Sequence, residues 1–325
     1  MKRARATETH VVVYYHRPCV DGAYSCALLD RALRGAVASF KAYGVCYTKS
    51  WPLYRWPDVA AENPRRLVFC VDIAPDAETL KILARVADEV TIIDHHATAE
   101  ERLHGVLPSN VCTVIDTGGD HSGASLVLRY VQQPEHNMTG FDFTQQSIVA
   151  RVEHVRRFDL WKFELRDATD DFNQGVVSLF ERGWVDVGEP EMAAKVLDTP
   201  ITELLKRGNE RNKHCYSLMK EQVARCAETL YIPTRDGMVA EVFAVDSGNV
   251  KDNSRLAQMA ADASGSKITA VITKIYDQPV VSFSIRSATV DVRTQIAEFH
   301  DSKGGGHPHA CGFRVPFDLF SKWRN

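Results

Sequence analysis

Three apolar runs in the first hundred residues each stop at a polar group. Val11–Tyr15 (VVVYY) gives way to HRPCVDG, RLVFCV gives way to Asp72, and VTII gives way to Asp94-His95-His96. Each run is short, rich in β-branched and aromatic residues, and apolar at nearly every position. That is the pattern of a strand buried on both faces. The spacing then turns helical: DGAYSCALLDRALRG follows the first run and IAPDAETLKILARVA the second, where Pro75 and Asp76 open the helix. SGASLVLRYVQQ and TQQSIVARVEHVRRF continue the helical pattern. Buried runs alternating with helices predict βαβ units, a parallel sheet and an α/β fold with helices on both faces.

Between about residues 185 and 235 the pattern is helical and charged, with no strand signal. MVAEVFAVD, KITAVITKIYD and QPVVSFSIRS then read as strands, DVRTQIAEFH as a helix, and SKGGGHPHACGF closes the segment. The expected organisation is a parallel-sheet domain over residues 1–190, a helical connector over 191–234 and a smaller α/β domain over 235–325.

Composition narrows the function classes. The 325 residues are 45% hydrophobic and 25% charged, with a net charge of −3. No global basic field is available for a long duplex or single strand, whose binding needs many cationic contacts. No apolar run approaches the roughly 18 residues of a membrane span, so no membrane partner is expected. The basic start, MKRARATETH, is too short for a signal peptide. The eight cysteines form no Cys-x-x-Cys pair. A reducing, cytoplasmic compartment is the natural expectation, with a mitochondrial address left open. Oligomerisation is open too.

Parallel sheets present functional groups beyond the carboxyl ends of their strands. The tips here carry His16, Cys19 and Asp21, then Asp72, then Asp94, His95 and His96, and a later helical stretch adds Asp159. A single Asp at a strand end is more often a turn former or a helix cap. Successive tips all bearing carboxylate, imidazole or thiol point instead to a shared site for Mn²⁺ or Mg²⁺. The excess of carboxylates suits two ions with one Asp between them. Walker-type and GxGxxG patterns are absent.

The ordered set HRPCVDGAYSC, VDIAP, DHH, SGASLV, FDLW and GGGHPHACG resembles the DHH phosphoesterase superfamily over nearly the whole chain. The last motif resembles the glycine-rich signature of the DHH-associated substrate-binding domain. The resemblance implies metal ligands at His16, Asp21, Asp72, Asp94, His95 and Asp159. Asp72 would bridge, Asp94 would ligate or orient, and His96 would touch the scissile phosphate or its leaving oxygen as an acid. The first motif departs from the common two-Asp form: Cys19 stands where the first Asp would be. A thiolate fits Mn²⁺ or Mg²⁺ poorly. The expectation is a weakened first site that substrate helps to fill; Zn²⁺ and an inert packed cysteine are the alternatives.

The glycine run Gly304-Gly305-Gly306 with His307, and Arg286 with Ser287, are the expected substrate-binding groups. Glycines admit a phosphate to backbone N–H groups, and Arg forks onto it. Trp51, Tyr54 and Trp56 read as core or lid packing rather than base stacking. The leading expectation is a metal-dependent phosphodiesterase or exonuclease for short nucleotides: oligoribonucleotides, dinucleotides or bisphosphate nucleotides. A pyrophosphatase or exopolyphosphatase would want a denser Lys/Arg cluster. A non-catalytic nucleotide-binding or assembly module would start from the loss marked by Cys19.

Overall fold

The computed structural model describes residues 8–47, 51–52, 56, 64–103, 105, 107–180, 190–250, 252–275, 278–302 and 304–324. The chain divides into two compact units, residues 1–211 and 212–325.

The first unit holds a five-stranded parallel sheet. Its strands are β1 (Thr9–His16), β2 (Ser39–Val45), β3 (Arg65–Val71), β4 (Glu89–Asp94) and β5 (Val111–Ile115), in the order β2-β1-β3-β4-β5. Its helices are α1 (Val20–Leu33), α2 (Ala77–Val86), α3 (Ala97–Arg102), α4 (Gly123–Val131), α5 (Gln146–Asp159), α6 (Ala168–Ser178) and α7 (Pro190–Asp198). Helices cover both faces, and β1 shows how. Val11, Val13 and Tyr15 pack with Ala23 and Leu28 of α1 and Val127 of α4. Val12 and Tyr14 pack on the other side, with Leu80 and Leu83 of α2. Val11 to Val13 have no exposed surface, and each such side chain contributes about 1.5–3 kcal/mol by burial.

Local signals set the helix starts. The Asp76 carboxylate accepts the Thr79 amide at 2.7 Å and caps α2. Ser122 and Ser125 form a reciprocal capping box at the start of α4. Strand order reverses between β1 and β3, so the strand tips open a crevice there, where open α/β sheets bind their ligands.

Helix α8 (Ile201–Cys226) carries the boundary between the units. The second unit is a mixed six-stranded sheet of β6 (Ala227–Pro233), β7 (Val239–Asp246), β8 (Ile268–Lys274), β9 (Val280–Ser287), β10 (Gly305–His307) and β11 (Ala310–Pro316). Their order is β10-β11-β9-β8-β7-β6, with only β7 and β8 parallel and joined through α9 (Asn253–Ser264). The expected helical connector over 191–234 needs correction at both ends. Residues 227–233 form β6, whose Leu230 and Ile232 are buried while Tyr231 and Pro233 face out. That period of two was masked by the charged helix before it. Helix α7 belongs to the first core, where Tyr24 donates to the Val196 carbonyl at 3.1 Å. Among the described residues no helix is long and apolar enough to cross a membrane.

Candidate metal centre

The tips of β1, β3 and β4 and the ends of α1 and α5 bring the expected ligand residues together. Three overlapping groups result: His16, Cys19 and Asp72; Asp72, Asp94, His95 and His96; and Asp21, His95 and Asp159. Within each, ligand atoms lie within 4.8 Å of one another.

Asp72 is the centre. It follows β3 in left-handed backbone, φ +58°, a conformation that costs a non-glycine residue about 1–3 kcal/mol and is retained mostly at functional sites. Its amide donates to the Ile93 carbonyl at 2.9 Å, which ties it to the tip of β4. The carboxylate is fully buried. One oxygen lies 3.4 Å from His16 Nδ1 and the other 3.2 Å from His95 Nε2. His95 Nε2 also lies 3.3 Å from Asp159 and 3.8 Å from Asp21.

The other two carboxylates are aimed by hydrogen bonds. Asp21 Oδ1 accepts the Ser122 hydroxyl at 2.7 Å and the Ala124 amide at 2.9 Å. Asp94 Oδ1 accepts the amides of His95 (2.7 Å) and His96 (3.2 Å), and pairs with His96 Nδ1 at 2.7 Å. In both residues the second oxygen is left over. Asp21 Oδ2, Asp94 Oδ2, both Asp72 oxygens, His16 Nδ1 and His95 Nε2 are buried and make no well-aligned hydrogen bond among the described residues. Buried polar atoms are rarely left so. Carboxylate oxygens and imidazole nitrogens that converge on one another with no other partner among the described residues fit Mn²⁺ or Mg²⁺.

Electrostatics agree. Burial, then the charges of Asp72 and Asp159, push the Asp21 carboxyl well above the ordinary range. Burial followed by Asp72 raises Asp159 also, against the pull of His95. Asp72 goes the other way: burial would raise it, but His16, His95 and His96 outweigh that and hold it well below. Burial disfavours a charged His95, yet Asp72, Asp159 and Asp21 push its imidazole up to about 10. A proton on His95 thus balances the acidic cluster, and a divalent cation would displace it. Burial, then Asp72, Asp159 and Asp21, push the Cys19 thiol well above its usual value. Without an ion it is a neutral thiol.

Sequence reasoning passed over the residues that build the frame. Gly123 fills the gap between two carboxylates: a Cβ there would lie 2.7 Å from Asp72 Cβ and 2.9 Å from Asp21 Oδ2. Ser122 and Ala124 hold Asp21. The signal was present in SGAS, a capping sequence before an apolar run, but its partner stands 101 residues away. Tyr47, just past β2, packs against His16 and His96 with ring centroids 5.4 and 6.0 Å apart.

In the second unit, strand pairing gathers the expected substrate groups. Ala310 of β11 pairs with Arg286 of β9 on one side and His307 of β10 on the other. Arg286 donates to the Ser254 hydroxyl at 2.6 Å and the Ile285 carbonyl at 2.9 Å, and burial lowers its pKa. The Ser287 hydroxyl accepts the Thr289 and Val290 amides, so it shapes the turn after β9. The three glycines differ. A Cβ at Gly304 would meet the Ala297 carbonyl at 2.7 Å, and one at Gly306 (φ +137°) the Ala310 carbonyl at 2.6 Å. Gly305 faces open space. Trp51 packs on Tyr14 (5.3 Å), and both Trp51 and Trp56 join the core on the α2 face. Tyr54 and the His307 side chain lie outside the described residues.

Residues 237–322 match the DHHA1 domain family. That match lies wholly within the second unit. Solved structures share its fold. A DHH-domain structure described as a member of a family of ribosomal proteins superposes with TM-score 0.60 at 13% identity, covering 97% of this chain and 86% of its own. The pGpG-specific phosphodiesterase PggH from Vibrio cholerae gives 0.54 at 15% identity, covering 97% and 96%. Exonuclease RecJ bound to manganese gives 0.51 at 18% identity, covering 97% and 88%. Comparison with curated proteins returns no match. The acidic and imidazole cluster of the first unit is a metal-competent one.

Proposed function

We propose that this chain is a divalent-cation-dependent phosphohydrolase that cleaves phosphodiester bonds in short nucleotides: oligoribonucleotides, dinucleotides or bisphosphate nucleotides. The observation that carries the reading is the set of buried, unpartnered ligand atoms on His16, Asp21, Asp72, Asp94 and His95, converging at the switch point of the sheet. Asp21, His95 and Asp159 would hold one cation, His16 and Asp72 a second, with Asp72 shared and Cys19 a weak neighbour. Bound there, Mn²⁺ or Mg²⁺ supplies Lewis-acid charge stabilisation and an activated water.

The chain's own residues do the rest. Ser122 and the Ala124 amide keep Asp21 aimed inward. The Asp94 carboxylate fixes the His95-His96 backbone and the His96 ring. Its charge, with that of Asp72, raises the His96 pKa against the effect of burial. His96 is therefore equipped to hand a proton to a leaving alkoxide. Arg286 and the open backbone at Gly305 are the groups for a terminal phosphate.

Short substrates are favoured for two reasons. The net charge of −3 supplies no extended cationic surface. The structural neighbours named for pGpG hydrolysis and for exonuclease action span nearly the same length of fold. The test is hydrolysis of a 5′-phosphorylated RNA dinucleotide with Mn²⁺. Mononucleotide release that stops with EDTA and in Asp72→Ala supports the reading. No release from folded, Mn²⁺-loaded protein overturns it.

A further inference from the structure

Tyr47 is assigned no role by the ligand set, yet it stands against that set. It follows β2, the strand that flanks β1 at the edge of the sheet. Its ring, the His16 ring and the His96 ring form a triangle with centroids 5.4, 5.7 and 6.0 Å apart. The guanidinium of Arg102 lies 4.3 Å above the Tyr47 ring and is anchored to the Ala74 carbonyl at 3.3 Å. The ring is thus in contact with a guanidinium and two imidazoles. The phenol oxygen is buried and has no hydrogen-bond partner among the described residues, and the charges of Asp94 and Asp72 bear on it.

A buried tyrosine hydroxyl normally finds a partner. This one stands beside His96, the residue expected to touch a phosphoryl group, and a neutral phenol donates readily to an anionic oxygen. We infer that Tyr47 is a further catalytic residue, whose hydroxyl donates to a non-bridging oxygen of the phosphoryl group held at the metal centre. The inference rests on the phosphohydrolase reading. It adds a fixed donor where negative charge develops in the transition state.

The variant is Tyr47→Phe, which keeps the ring against His16, His96 and Arg102. With the Mn²⁺-loaded protein, kcat/KM on the RNA dinucleotide should fall about 100-fold. Mn²⁺ affinity and Tm should hold, because the hydroxyl has no partner among the described residues to lose. A second readout is independent of turnover: ³¹P relaxation of inorganic phosphate by bound Mn²⁺, which sees only phosphate near the ions. Weakening of that phosphate by about fivefold or more in Tyr47→Phe, with Mn²⁺ affinity held, supports the inference even if no diester is cleaved. Unchanged phosphate binding and kcat/KM overturn it. So does a matching loss of Mn²⁺ affinity, which would make the hydroxyl a support for Asp94. Wild-type protein that binds Mn²⁺ but brings no phosphate near it also overturns it.

Discussion

The hydroxyl of Ser122 donates to Asp21 across 101 residues of sequence, at 2.7 Å, in a fully buried contact. The same oxygen atom of Ser122 also faces the Ser125 amide at 3.4 Å and caps α4. One side chain therefore starts a helix and aims a candidate ligand. Ser122→Ala should cost about 0.5–2 kcal/mol through the lost cap. It should also weaken Mn²⁺ binding about 10–100-fold, the usual effect of removing a group that orients a ligand. Ser122→Thr restores the hydroxyl and should recover most of the affinity. Thermal denaturation and Mn²⁺ titration of both variants check this.

Two glycine substitutions should behave in opposite ways. A methyl group at Gly123 would meet the Cβ of Asp72 at 2.7 Å, and that carboxylate is tied to β4 through its amide. Gly123→Ala should reduce Mn²⁺ affinity more than tenfold and lower Tm. A methyl group at Gly305 meets nothing within 4 Å. Gly305→Ala should leave Tm and Mn²⁺ affinity unchanged and raise KM, because the added carbon blocks close approach of a phosphate to the backbone. Equal effects of the two substitutions on Mn²⁺ binding would contradict this division.

These glycines show where sequence reading reached its limit. The strand tips were legible because a buried run ending in Asp or His is a local pattern, and His16, Asp72 and Asp94-His95-His96 came directly from it. Cys19, Asp21 and Asp159 were read from the same kind of pattern, the resemblance set Cys19 apart as a departure, and the structure brings all three into the cluster. What was hidden depends on distant partners. Strand β2 alternates irregularly between buried and open positions, so neither it nor Tyr47 beyond it stood out. Gly123 is an ordinary helix-start residue until the fold sets it against Asp21 and Asp72. Strand β6 was hidden for a different reason: its short alternation follows directly on a 26-residue helix.

Away from the site, His154 should set part of the acid limit of the fold. Its ring stacks on Phe172 (4.8 Å, 19°), and Nδ1 lies 3.2 Å from the Thr169 hydroxyl. Burial, then Arg157, lowers its pKa, against smaller opposite effects of Asp167 and Glu153. The unfolded chain therefore binds this proton more readily than the folded one. Its contribution to stability is present above pH 6.5 and is lost as pH falls through the lower folded value. His154→Gln should be less stable at pH 7.5, having lost the stack. Its Tm should then fall less than that of the wild type between about pH 7 and pH 5. Parallel Tm curves for the two proteins across that window would remove His154 from the account.

Arg286 gives the sharpest test of the second unit. Its guanidinium meets a hydroxyl and a carbonyl, and among the described residues no carboxylate lies within ion-pair distance. A half-buried cation without an anionic partner is costly to keep, and burial already lowers its pKa. A bound phosphate would supply the missing charge and use the fork of the guanidinium, which a lysine lacks. Arg286→Lys should therefore raise KM for a 5′-phosphorylated dinucleotide about tenfold and leave kcat within about twofold, the signature of a lost uniform binding contact. The same variant should have little effect on the dinucleotide lacking its 5′-phosphate. A fall in kcat with KM unchanged would place Arg286 in the chemical step instead. An equal loss on both substrates would show that it does not read the terminal phosphate.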